Sequence, residues 1–497
     1  MLSGGDVLRV SSSALILDHG NPAQRNSLAW CLAQGTRVHI PEGSYSVSTP
    51  ITLPAGAEVT CDTGATITAT SAITTRMLYI NGVSGVIWQG GRLVGNAGVA
   101  TATCFELNDA TDCRIEPESI AGFNNKGVAV TGTSTGNLIA PHIVTGSDGT
   151  TGAGVSFYGA GVTDNEIRGG TYTGNRIGIT INGAHRNRVV APSCNANTSM
   201  GLTIDGIVSS SGDGGRYNEV VGGTYNDNAG STYGGLYLGN GSSFNILSGV
   251  VATGNTGAGL RLSAGSGFEN FGNKVLGAQF RGNVANGITA TWCPNLELIG
   301  VDSSDNTGRG LSNGNADHLK ILGGNYSDNT SHGLFIQSGY TKTLGANVRD
   351  NGGVGYYVTT GGSADSSNNF IGQGSHVENN TGGDFDLHFN LARTDDTVTG
   401  SPIAMVEADA GDADYTYNLT KPRTIIWSTP ISALRSTVLG TTNARTTDRV
   451  RVVRAASCTG AFNLNVGTGP LKALTVGQWC DVQWDGTAWV LTGFGSL

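Results

Sequence analysis

Charge is scarce in this chain. Asp, Glu, Lys and Arg together make up 13% of its 497 residues. β-branched and aliphatic residues are nonetheless spread throughout, which excludes a disordered tail. No apolar run approaches the ~20 residues that cross a bilayer. "SSSALILDHG" is too short and lacks a basic leader, so it is not read as a secretory signal. The opening Met1–Gly5 reads like a start placed within a longer protein, with an upstream region removed. The eight cysteines never fall in CxxC spacing and are read as buried thiols. His142, His185, His318 and His376 lack HxH or HExxH spacing, so no metal site is expected, and nothing calls for a cofactor. No phosphate-cradling loop occurs. The net charge of −9 argues against nucleic acid or an anionic membrane as the main partner.

Glycine, by contrast, is plentiful, at 78 residues. It follows no strict third-residue rule, which excludes collagen and points to many turns between short strands. "LELIGVDSSDN" and "LKILGGNYSDN" end in the same polar turn 23 residues apart, and the echo extends in both directions. Turn asparagines are expected at Asn175, Asn197, Asn228, Asn255, Asn283, Asn306, Asn329, Asn351 and Asn379, at spacings of 22 to 31. Ten residues before most of them stands a second asparagine: Asn165, Asn187, Asn218, Asn245, Asn273 and Asn369. A Gly-led apolar strand follows each turn, as in "GITI", "GLTI", "GLYL", "GLRL" and "GLFI". Only one connecting segment varies in length. Such self-similarity marks stacked coils rising about 4.8 Å each, with asparagines in ladders along the axis. The fold class read from this is an all-β parallel β-helix. Nine residues before each turn, the column Glu166, Arg188, Glu219, Ile246, Lys274, Glu297, Lys320, Lys342, Phe370 reads as an outward, mostly ion-paired scaffold. Tyr172, Tyr225, Phe280 and Tyr326 form a column read as core.

Ahead of the repeats, "QRNSLAWCLAQG" places Leu28, Trp30, Cys31 and Leu32 on a short apolar helix, and "RVHIPEGSYSVSTPITLPAGAEV" follows. Here the chain resembles the pectate-lyase-like superfamily of right-handed parallel β-helices, in which a short helix caps the first coil and "IPEGSY" matches the strand-turn-strand entry. The resemblance implies a lead-in over 1–17 and one solenoid over about 18–390. Beyond it, 391–414 is acidic and lacks Asn turns, as a linker would. From 415 to 497, "DRVRVVRAASC", "FNLNVG", "KALTVGQWCDVQWDG" and "TAWVLTGFG" alternate with period two, as a small antiparallel β domain would for oligomerisation or carbohydrate binding. This Trp-bearing tail resembles the C-terminal domains of bacteriophage tail fibres and tailspikes. That resemblance implies a homotrimer, located in a virion tail or outside the cell, that degrades a bacterial surface polysaccharide (capsule, exopolysaccharide or O-antigen). Two alternatives stand beside hydrolysis: a polysaccharide lyase, and a non-catalytic glycan-binding fibre.

Rigid scaffolds carry function on their variable loops. Here the longest are 205–217 and 263–272, on one side of the coil. Between them, outward strand positions are expected to run Thr180, Thr203, Tyr237, Arg261, Thr289. Asp205 and Glu269, on coils two apart and so about 9.6 Å from each other, suit an inverting carboxyl pair. Asp213 is the reserve acid. Thr203, Tyr237 and Arg261 would floor the groove; Tyr237 and Trp292 would stack on sugar faces, and Arg261 would hold a uronate.

Overall fold

The computed structural model describes residues 28–34, 36–96, 102–207, 214–359, 375–383, 412–417, 424–441, 449–467 and 469–497, with short strands at 8–9, 370–371, 385–387, 397–398 and 406–407. The chain divides into two compact units, Met1–Asp386 and Leu387–Leu497.

The first unit opens with the helix Leu28–Gln34, whose Leu28, Cys31 and Leu32 are buried. Three strands per coil follow, each pairing in parallel with the same strand of the next coil. We call the three stacks sheets A, B and C, in the order a coil visits them. Sheet A carries the expected charged column in register, from Glu166↔Arg188 through Glu219, Ile246, Lys274, Glu297 and Lys320 to Lys342↔Phe370. Arg188 pairs with Glu219 at 2.9 Å, and Glu297 bridges Lys274 and Lys320 at 3.1 and 2.7 Å. The sheet B aromatics Tyr172, Tyr225, Phe280 and Tyr326 are fully buried. Cys194, Ala252 and Ser303 occupy the coils between them, so each ring fills the space of a small neighbour. All eight cysteines are free.

The turn from sheet B to sheet C holds the ladder. From Asn228 onward each ladder asparagine's Oδ1 accepts two hydrogen bonds from the previous coil's asparagine, one from its backbone N–H and one from its amide, whereas Asn197 accepts only the backbone N–H of Asn175, whose amide turns to Val144 O. Asn283 donates both to Asn306 at 3.0 Å, and Asn306 donates both to Asn329 at 3.1 and 3.0 Å. The ladder runs from Asn175 through Asn351 and ends on Asn380, one residue beyond the expected Asn379. The reason is conformational. The residue before each ladder asparagine lies in the left-handed region, as at Asp227, Asp305, Asp328 and Asp350, and Asn379 takes that place with φ 59°. Only Gly, Asn and Asp enter this region at little cost, so the Asp of "SDN" is there for its backbone. A second ladder, Asn137–Asn165–Asn187–Asn218–Asn245–Asn273, closes the turn from sheet C back to sheet A. Asn369 lies outside the described residues.

The glycine that opens each sheet C strand belongs to the same device. A Cβ on Gly235, Gly259 or Gly310 would lie 2.8–3.0 Å from the next ladder amide (Asn255, Asn283 and Asn329) and 2.6–2.9 Å from the next coil's carbonyl. No larger residue fits.

The second unit contains the expected antiparallel pairing at Arg449–Arg454 with Gln478–Trp484, and of the latter with Trp489–Ser496. Its leading strands pair in parallel instead, Tyr415–Tyr417 with Arg435–Leu439 and Thr424–Trp427 with Arg449–Arg454. Period-two alternation specifies strands but carries no information on their direction. Trp427, Cys458, Val466, Cys480 and Val482 form its core. Arg454 is buried there among the carbonyls of Cys458, Gly460, Phe462 and Leu474.

The ladder makes a testable distinction. Asn306→Ala strands the two Asn283 donors, and at ~1–3 kcal/mol per orphaned group the unfolding free energy should fall by about 3 kcal/mol in urea titrations. Asp305→Gly should change it by less than about 1 kcal/mol, because it loses an exposed pair with Arg281 and a long hydrogen bond from the Ser304 hydroxyl, which keeps Asp302 as an acceptor.

Candidate functional site

Sheet C presents its outward column as Ser156, Thr180, Thr203, Tyr237, Arg261, Thr289, Ser312, Phe335 and Tyr357, the order expected from Thr180 to Thr289. Asp205 ends the strand Met200–Asp205, and in register with it stand Asn182 before and, by continuation of the same pairing, Gly239 after. Its Oδ1 accepts hydrogen bonds from Gly206 N at 2.8 Å and from Asn240 Nδ2 at 2.9 Å. Burial pushes the carboxyl above the usual aspartate range, against those two donors, which pull it down.

Gly239 lets two side chains meet. A Cβ there would lie 2.4 Å from Tyr237 Oη and 2.5 Å from Asp205 Oδ1. The two groups therefore share the space a side chain would occupy. Burial and then the Asp205 charge push the Tyr237 hydroxyl up, and Arg261 pulls it down. Arg261 donates from Nη1 to Thr232 O at 3.1 Å and lies 5.7 Å from the Tyr233 ring centre, while its buried Nε has no hydrogen-bond partner. Asp205 and Tyr237 thus border one gap at Gly239, and Arg261 acts on Tyr237 from the next coil.

Tyr237, expected as an open sugar platform, is 8% exposed. Its ring packs beside Ile177 and Met200 and meets Tyr233 edge-on at 4.6 Å and 65°. What it offers at the site is a hydroxyl, and the half-buried ring above it belongs to Tyr233. Thr203 is likewise buried. Trp292 is half-buried with φ 57°, and its carbonyl accepts the Asn270 N–H at 3.0 Å, so it anchors the loop that carries Glu269. The Glu269 carboxylate accepts a hydrogen bond from Gly267 N within that loop, and it is not among the groups that perturb Asp205. Ser243 steadies the loop further by accepting Phe271 N. Asp213 lies outside the described residues.

Sequence reasoning missed Asn240, Gly239 and Tyr233. A signal existed for two of them: "GLYLGN" puts Gly where neighbouring coils have Asn182, Asp205 and Ser263, and follows it with a turn asparagine.

With this geometry in place, comparison with known proteins is consistent with the solenoid. Residues 229–371 match the family described as right handed beta helix region. The fold is a right-handed parallel β-helix. No curated protein matches the chain. Among solved structures it is similar to the Azotobacter vinelandii mannuronan C-5 epimerase AlgE4 A-module, at 14% identity and TM-score 0.41 over 80% of this chain and 98% of that one. It is also similar to bacteriophage CBA120 tailspike protein 3, at 13% identity and TM-score 0.43 over 97% and 70%. A third is the catalytic domain of a GH87 alpha-1,3-glucanase, at 12% identity and TM-score 0.39 over 80% and 68%. Among the described residues, no helix is long and apolar enough to cross a membrane.

Gly239→Ala tests the close approach directly. The added methyl should turn out either Asp205 or Tyr237 in a crystal structure and cost about 1–3 kcal/mol of stability. An undisturbed pair would refute the shared space.

Proposed function

We propose that the protein degrades a bacterial surface polysaccharide by hydrolysing glycosidic bonds, with Asp205 as general acid. The observation that carries this reading is a carboxyl held on the outside of a rigid coil, raised in pKa by burial, and oriented by Asn240 beside the Tyr237 hydroxyl. A raised carboxyl keeps a proton for the leaving oxygen. Hydrolysis needs a second carboxylate. Glu269 is our candidate, because its loop leaves sheet C from Ser263, the register partner of Gly239 and thus two coils from Asp205. Two coils are about 9.6 Å, close to the ~6.5–9.5 Å of inverting pairs. Asp213 is the alternative partner. A β-elimination run by Tyr237 as base is disfavoured, because burial and Asp205 oppose phenolate formation.

Asp205→Asn should lower the release of new reducing ends at least about a hundredfold while leaving glycan binding intact. The wild-type rate should fall as pH rises through the raised Asp205 pKa, and that limb should vanish in the variant. The stability sign follows from the same shift. The folded state binds this proton more tightly than the unfolded chain, so the ionised carboxylate destabilises the fold above its folded pKa. Asp205→Asn should therefore raise Tm at neutral pH and not below the ordinary aspartate range. Products absorbing in the ultraviolet as unsaturated uronates would overturn hydrolysis in favour of elimination, and binding without any cleavage would leave a glycan-binding fibre.

We further propose a homotrimer located in a virion tail or outside the cell, using the second unit. Its edge strand Trp489–Ser496 and the following Leu497 expose Val490, Phe494 and Leu497, a row of apolar side chains that association would cover. Light scattering should give three times the 50.9 kDa of the chain, and a monomer at micromolar concentration would refute it.

A further inference from the structure

On sheets A and B, basic side chains are matched by acids. Arg188 lies between Glu166 and Glu219, Glu297 between Lys274 and Lys320, and Arg281 against Asp302 and Asp305. In the first coils of sheet C Arg76 holds Glu106 with two contacts of 2.9 Å, whereas Lys126 already donates to the Thr151 carbonyl instead of an acid. Farther along that face the matching stops. Arg261 and Arg309 have no carboxylate partner among the described residues, in a chain of net charge −9 that has acids to spare.

Arg309 is the more exacting case. Its guanidinium lies flat over the Phe335 ring at 3.5 Å, and Nη1 donates to Ser312 Oγ at 3.0 Å. Ser312 thus takes up one of its five side-chain N–H groups, and the other four have no partner among the described residues. Phe335 stacks on Tyr357 at 5.2 Å and 17°, and Tyr357 stacks on His332 at 4.9 Å and 11°. These rings form a shelf whose Tyr357 and His332 are half-buried beside the cation. Desolvation lowers the Arg309 pKa, the mark of a cation taken from water without compensation. A guanidinium pinned on a ring is preorganised for a planar anion and loses little entropy on binding one.

The shelf is on the same outward face as the Asp205 site. From Arg261 the register passes through Thr289 to Ser312, two coil rises or about 10 Å. The two steps between the guanidinium groups carry only short hydroxyl side chains, so a glycan has an open track along the axis.

We infer that Arg309, with the Phe335–Tyr357–His332 shelf, is a second glycan-binding site that takes an anionic sugar, one bearing a carboxylate or sulfate, on the same polymer that reaches Asp205. The carboxylate or sulfate would accept the free Arg309 N–H groups in charge-assisted bonds, and the C–H face of the ring would lie against the aromatic edge. This inference rests on the polysaccharide reading above and narrows its substrate class.

The test measures binding by calorimetry in the Asp205→Asn background, so that no ligand is consumed. Its probes are acidic bacterial surface oligosaccharides, each beside a neutralised counterpart, carboxyl-reduced or desulfated. Neutralisation should weaken binding at least about tenfold, the size of a lost hydrogen bond to a charged group. Arg309→Gln should do the same and flatten the salt dependence, while Arg309→Lys should fall between. Equal affinity for the charged and neutralised probes, or an Arg309→Gln variant that binds unchanged, would overturn the inference and leave the polysaccharide reading standing. The probe comparison needs no variant, so it decides even if Arg309→Gln is unstable. If Asp205→Asn binds no glycan, acidic or neutral, and the wild type releases none, the polysaccharide reading falls and this inference with it.

Discussion

The close packing of one asparagine against one glycine, coil after coil from Gly201 to Gly333, governs this molecule. Over these coils the ladder amide occupies the volume where a Cβ would stand on the preceding coil's first sheet C residue, as Asn255 does at Gly235 and Asn283 at Gly259. The asparagine satisfies buried turn donors that water cannot reach, and the glycine makes room for it. Neither works alone. Together they hold the turn between sheets B and C at three or four residues from asparagine to glycine on most coils. The exception, Asn228 to Gly235, is longer and brings Thr232 and Tyr233 to the site, so the repeat varies in two segments and not only in the one returning from sheet C to sheet A.

Variable segments decide where chemistry can sit. The enlarged turn Asn228–Gly235 brings Tyr233 over Tyr237, and the return segment from sheet C to sheet A is long at 263–272, the loop that carries Glu269. The faces differ electrostatically as well. Sheet A neutralises its charges coil by coil, so its conspicuous acids, Glu219 among them, are committed to neighbours. Sheet C keeps a carboxyl that burial holds above its ordinary range and guanidinium groups without acids beside them. Such groups oppose folding more than they assist it, and they collect on the one face bordered by the loops.

Much of this was legible in the one-dimensional pattern. The coil, two of its three strands, the charged column of sheet A, the aromatic core of sheet B and the outward order from Thr180 to Thr289 all follow from spacing, because parallel in-register stacking turns a sequence period into a spatial column. The end of the ladder was not. Asn379 and Asn380 are chemically the same, and only the left-handed backbone of the first assigns the ladder to the second. Nor was strand direction in the second unit, since alternation is the same for parallel and antiparallel neighbours.

For the site, sequence alone determined that Asp205, Tyr237 and Arg261 stand at the ends and outer positions of successive sheet C strands. Tertiary structure decided what each can do there. Tyr237 is covered by Tyr233 because the ring of a residue on a crowded face must lie down on its neighbours, and Asp205 meets the Tyr237 hydroxyl because Gly239 leaves the gap between them. A column predicts who is adjacent. Burial, which depends on the volumes of residues from three coils at once, sets exposure, proton affinity and contact, and no spacing rule contains those volumes.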